Sequence, residues 1–157
     1  MMDGVKGKEI DGVKIIPLRR IPDERGSIMK MISKDDDHYV GFGECYFSCI
    51  FPGVVKAWHV HLRMTLNYAV IVGNVKLVLF DDRIDSKTKG NLMEIFLGED
   101  NYCLVQIPRG IWNGFKAIGN QKAIIANFAS IVHDPKEQKR MDFDDPYIPY
   151  SWRIKNE

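Results

Sequence analysis

Apolar and polar positions alternate along much of this chain with a period of two, the signature of strands that bury one face. The stretch "AWHVHLR", residues 57–63, is the clearest case. Trp58, Val60 and Leu62 fall on one side of such a strand, and His59, His61 and Arg63 on the other. Further short runs rich in Val, Ile, Phe, Tyr and Leu are "VKIIPL", "YFSCIF", "NYAVIV", "VKLVLF", "LMEIFL", "CLVQIP" and "AIIANFAS". Turn signals separate many of them: Gly73-Asn74, Gly90-Asn91, "GED" at 98–100, "PRG" at 108–110 and Gly119-Asn120. Gly73-Asn74 between two strong runs predicts a tight hairpin. One short helix is expected, around "PKEQKRM" at 135–141. Regular spacing with so little helical periodicity predicts an all-β barrel or sandwich.

Composition narrows the class further. The chain has 157 residues, enough for one domain with a sound core. Lys and Arg number 22 against 21 Asp and Glu, so no overall field draws the protein to nucleic acid or to an anionic membrane. The longest apolar runs are too short for a membrane-spanning helix, and the polar N-terminal stretch lacks the core of a signal peptide, which predicts a cytoplasmic protein. Cys45, Cys49 and Cys103 show no metal or redox spacing and lie in strand-like runs, so all three are expected to be buried free thiols. The charged run "SKDDDHY" at 33–39 reads as a solvated loop, and the tail "DDPYIPYSWRIKNE" as an irregular packed arm.

Two of the four histidines stand in one strand, which raises the question of what they face. On a bare strand they would form a solvent-facing polar stripe. Placed inside a barrel they would line a cavity. The G-x5-H-x-H spacing from Gly53 and the later "PRG" resemble the two motifs of metal cupins, but the ligand count fails. Thr65 and Leu66 stand where a glutamate should fall, and Asn113 where a further histidine should fall. Two neutral imidazoles alone make a poor metal site. A metal-dependent cupin enzyme is therefore the weakest reading, and no metal or cofactor is expected.

A second set of motifs is more specific. "DERGS" at 23–27, "GVVKAWH" at 53–59, "DDRIDSKTKG" at 81–90, "IPRGIWNGF" at 107–115 and "DDPYIPYSW" at 144–152 occur in a characteristic order and spacing. In these the chain resembles the dTDP-4-dehydrorhamnose 3,5-epimerase family across residues 12–152. The resemblance implies a single cupin-type jelly-roll β-barrel over residues 1–157, paired as a homodimer. It also implies action on a nucleoside-diphosphate 4-keto-6-deoxyhexose. A base removes a proton next to the ketone, a donor steadies the enolate, and an acid returns a proton to the opposite face.

Carried over residue by residue, the resemblance gives His59 the base role and His133, at the position of the family's acidic tyrosine, the acid role. Arg25 and Lys56 correspond to diphosphate contacts, although Lys56 lacks the fork of the family's arginine. His61, Asn113, Glu44 and Tyr46 are expected to line the substrate pocket. Several positions depart from the pattern. Leu66 stands where a lysine sits beside the enolate, Lys30 replaces a glutamate, and the aspartate that pairs with the base would lie beyond the final tryptophan. Glu44 or another acid would have to take its place. Trp112, Trp152, Tyr147 and Tyr150 read as packing residues and Arg83 as a structural ion-pair member. These departures leave a rival reading, a non-catalytic or regulatory cupin that binds a sugar nucleotide in a degenerate site.

Overall fold

The computed structural model describes residues 3–155. Two antiparallel sheets face each other across the main core. The first contains β1 (Val5–Gly7), β6 (Val55–His61), β8 (Asn74–Asp81), β9 (Leu92–Gly98), β11 (Ile111–Ile118) and β13 (Gln138–Arg140), in the order β1-β9-β8-β11-β6-β13. The second contains β2 (Lys14–Pro17), β5 (Glu44–Ile50), β7 (Leu66–Val72), β10 (Cys103–Ile107) and β12 (Ala123–Ala129), in the order β2-β10-β7-β12-β5. A separate hairpin is formed by β3 (Arg20–Asp23) and β4 (Gly26–Met29).

From β5 onward nearly every connection passes from one sheet to the other; only β8 and β9 follow each other within a sheet. This alternation between facing sheets is the jelly-roll arrangement. It also corrects the reading of Gly73-Asn74. The two runs flanking it, β7 and β8, lie in different sheets, so this turn is a corner and not a hairpin. Gly73 has φ of 70° there, and a Cβ would stand 2.7 Å from the Lys122 carbonyl, so glycine meets both the conformational and the steric demand.

The pattern of β8 shows how the layers stack. Val75, Leu77 and Leu79 point between the sheets into the main core, while Val78 and Phe80 point outward into a second cluster with Trp58, Ile148 and Trp152. Both faces of this strand are covered, which is why it reads as an almost unbroken apolar run. The cover on the outer face is the C-terminal arm, folded back as the sequence predicts. Tyr150 and Trp152 lie against Trp58 with ring centroids 5.9 and 5.1 Å away. Leu62, at the end of the same side of β6, is left 42% exposed.

Two further expectations change, and a third is met. The segment at 135–141 is a single 3-10 turn, Pro135–Glu137, followed by β13. Its polar positions alternate, with Gln138 and Arg140 directed inward, and this suits an edge strand better than a helix face. Cys103 is buried as expected, but Cys45 and Cys49 are exposed. Both sit on β5, the edge strand of its sheet, on the side away from the facing sheet, where the chain supplies no cover. The third is Arg83, whose Nε donates to Asp81 at 2.9 Å in the structural role foreseen for it.

Candidate active site

The main core fills the sandwich between β1, β2 and the central strands. Towards the other edges, where β5 and β13 face each other, the two sheets leave a cavity of about 640 Å³. A space of that size falls in the ordinary range for small-ligand pockets. Its walls carry Tyr46 and Ser48 from β5, Lys56 and His59 from β6, Tyr68 from β7, Asn127 from β12 and Arg140 from β13.

A bulge aims β6 at this cavity. Asn113 of β11 pairs with His59, but Phe115 pairs with Lys56, so Ala57 and Trp58 together oppose Gly114. Such an extra residue re-aims the side chains next to it. Gly114 is the partner this crowding allows, since a Cβ there would stand 2.4 Å from Ala57 Cβ.

His59 presents its Nε2 to the cavity, 3.5 Å from the Tyr68 hydroxyl. Burial pushes its ring well down from the usual histidine value, to about 3, with His61 and Arg140 adding positive charge nearby. The Asn113 amide acts the other way. Asn113 is fully buried, its Nδ2 donates to the His59 carbonyl at 3.1 Å, and its Oδ1 has no hydrogen-bond partner among the described residues. Among the described residues no carboxylate bonds to the His59 ring, so Glu44 does not take the place of an orienting aspartate. At neutral pH the ring is uncharged, the state in which it accepts a proton.

His61, two residues on, has a different environment. Its Nδ1 makes a short, fully buried hydrogen bond to Glu137. The second oxygen of Glu137 accepts from the amides of Arg63 and Met64 at 3.1 and 3.2 Å. Burial by itself would raise this carboxyl, but the bonds from His61 and the two amides outweigh it and hold it below the usual range. The His61 ring does not line the cavity. It ties β6 to the turn that launches β13.

The remaining sequence-derived positions divide. Lys56 and Tyr46 line the cavity. Lys56 Nζ reaches across to β5, donating to the Cys49 carbonyl at 2.8 Å and to Ser48 Oγ at 3.2 Å. The Tyr46 oxygen accepts from Asn127 Nδ2 at 3.0 Å, which leaves its own O–H free to donate. Asn127 is held in turn, with its Oδ1 accepting from the Asn67 amide at 3.1 Å. Glu44, at the start of β5, is outside the lining. His133 stands exposed in the loop before Pro135, also outside it. Arg25 is exposed on the free hairpin, paired with Asp23 at 2.6 Å, and does not line the cavity. Neither His133 nor Arg25 is therefore among the residues that surround His59 in this chain.

Tyr68, Asn127, Gln138 and Arg140 line the cavity without having been singled out in the sequence. Arg140 brings a second cation to the cavity that Lys56 also lines. Among the described residues no group of three or more His, Cys, Asp or Glu side chains could hold a metal ion.

Comparison with known proteins places this arrangement. The family model for dTDP-4-dehydrorhamnose 3,5-epimerase matches residues 7–157. The chain is 34% identical over 145 residues to the spore coat polysaccharide biosynthesis protein SpsL of Bacillus subtilis, covering 91% of this chain and 96% of that protein. It is 35% identical over 147 residues to a probable low-salt glycan biosynthesis epimerase, Agl13, of Haloferax volcanii, covering 91% and 94%. Among solved structures, a dTDP sugar isomerase from Desulfovibrio desulfuricans G20 superposes with a TM-score of 0.89 at 42% identity, over 91% of this chain and 92% of that one.

Proposed function

Because this chain belongs to the dTDP-4-dehydrorhamnose 3,5-epimerase family and is a nucleotide-sugar epimerase, we propose that His59 is its base. The substrate class is a nucleoside-diphosphate 4-keto-6-deoxyhexose, with a dTDP sugar as the first one to try. His59 Nε2 takes the proton from the carbon next to the ketone, and the electron pair of that C–H bond moves to the carbonyl oxygen to give an enolate. A proton returned to the other face of the same carbon re-forms the ketone with inverted configuration. No oxidant, reductant or metal enters this balance.

The observation that carries the reading is His59 itself. It is the imidazole that faces the cavity, it is uncharged at neutral pH, and it stands beside a hydroxyl donor. Lys56 and Arg140 hold the diphosphate, and Tyr46 and Asn127 meet the sugar or base. Asn113, with an acceptor to spare, steadies the protonated ring in place of a carboxylate. Loss of a triad carboxylate lowers a rate by several orders of magnitude, so turnover slower than a carboxylate-backed site is part of the reading.

The protein acts in the cytoplasm as a homodimer. Two features support the dimer. Edge strand β5 and its flanks expose Phe42, Phe47 and Phe51, at 57%, 63% and 69%. The β3–β4 hairpin pairs with neither sheet, so Arg25 serves a phosphate only if it is laid over the pocket of a second copy. Replacing His59 by Ala is expected to reduce turnover by at least about 10²–10⁴-fold, the usual range for losing a positioned base. The same variant should keep its affinity for the nucleoside diphosphate alone. Undiminished turnover would remove His59 from the chemistry.

A further inference from the structure

Tyr68 is a pocket residue to which no family motif assigns a task. It sits in the middle of β7, 4% exposed, with its ring edge-on to Phe115 at 6.0 Å between centroids. Packing therefore fixes where the phenol points. It points across the interior from one sheet to the other, ending 3.5 Å from His59 Nε2. That separation is at the limit of a hydrogen bond, and among the described residues the hydroxyl makes no other. A buried hydroxyl left this loosely satisfied is costly, so its presence calls for a partner that arrives with the ligand.

We propose, building on the base role of His59, that the Tyr68 hydroxyl donates the hydrogen bond that stabilises the enolate oxygen. In proton removal next to a ketone, one carbon separates the atom that loses the proton from the oxygen that gains the charge. Base and oxyanion donor must then be close neighbours on one wall of the site. His59 Nε2 and the Tyr68 oxygen have that relation. The same closeness rules out Tyr68 as the group that returns a proton to the opposite face.

The position on the strand agrees. Leu66, where the family places a cation beside the enolate, lies on the same face two residues earlier and is buried in the main core. β7 thus offers a neutral donor one step along instead of a cation. Burial pushes the phenol well above its ordinary value, so it stays an O–H throughout the working pH range and acts as a donor, not as a second base. Through the step the proton passes to His59, the charge to the ketone oxygen, and Tyr68 keeps its own proton.

The test is Tyr68→Phe, which keeps the packed ring and removes one oxygen. The readout is exchange of the sugar's C3 and C5 protons with deuterated solvent, followed by proton NMR on a dTDP-4-keto-6-deoxy sugar. Exchange should slow by about 10²–10³-fold, as for loss of one oxyanion donor, with melting temperature and affinity for dTDP unchanged. Tyr68→Gln, which restores an N–H donor, should recover part of the rate. Exchange within about threefold of the wild type would overturn the proposal, and so would a slow rate explained wholly by lost dTDP affinity. Wild-type and His59→Ala proteins run alongside keep the two ideas apart. If the wild type exchanges and His59→Ala does not, a fast Tyr68→Phe defeats only the role of Tyr68. A silent wild type that still binds dTDP defeats the reading beneath it.

Discussion

His59 and His61 share one face of one strand, and their neighbours give them different work. His61 is locked to a buried carboxylate, whereas His59 meets a phenol, a cation and the cavity. A ring whose folded value lies far below its unfolded one stabilises the fold when neutral. That contribution is fully present above the unfolded value of 6.5 and is lost as pH falls from there towards about 3. Melting temperature should therefore decline through this window, and His59→Gln should flatten the decline. An unchanged slope in a series of melts from pH 7 to pH 4 would contradict the burial argument. Glu137→Gln is expected to destabilise by about 1–3 kcal/mol, because it weakens charge-assisted bonds to His61 and to two amides. Denaturant unfolding reads that directly. At this scale the sequence identified His59, Lys56 and Tyr46 as cavity residues, because their motif fixes both strand and face. It did not reach Tyr68 or Asn127. Both sit in apolar strand runs, where a polar atom looks like an ordinary interior residue until its neighbours across the core are known. Lys56→Ala and Arg140→Ala should each raise the KM for a sugar nucleotide while leaving kcat within a few-fold, the mark of uniform binding. A drop in kcat at unchanged KM would move either cation into the chemistry.

Between residue and fold, the bulge in β6 and the short strand β13 set the geometry of the pocket. Gly114→Ala pushes a methyl into Ala57, whose Cβ would stand only 2.4 Å away. The expected cost is about 1–3 kcal/mol of stability, as for overpacking, together with a loss of turnover as His59 is displaced. A variant with wild-type melting and turnover would show that the bulge tolerates what its packing forbids. Most central strands were legible from their apolar patterning, and all eight expected runs are strands, although β11 was not among them. What alternation does not encode is the partner. A Gly-Asn turn reports that the chain reverses and not which sheet it enters, so the corner after β7 reads as a hairpin. The segment that carries Arg140 is polar throughout residues 136–140, and without an apolar face it offers no period to separate strand from helix.

For the whole molecule, the family motifs and the strand count gave the jelly roll, and the folded-back arm gave the outer face of the first sheet its cover. Ending the chain after Pro146 would remove Ile148, Tyr150 and Trp152 from the cluster around Trp58. A loss of at least about 3 kcal/mol is expected, comparable to deleting one large core side chain, with Trp58 fluorescence shifting to the red. The cavity sits at the opposite edges of the sandwich, where the sheets part between β5 and β13, and this separates the cost of folding from the chemistry of the site. That division is why replacements at the family's catalytic positions leave the fold recognisable.

The central claim is that a neutral histidine in this cavity removes a proton next to the ketone of a nucleotide sugar. Its most direct test is proton NMR of dTDP-4-keto-6-deoxyglucose with the protein in deuterated water. The account predicts loss of the C3 or C5 proton signal with the wild type and none above background with His59→Ala. Bound sugar that keeps both protons in the presence of the wild-type protein would contradict it.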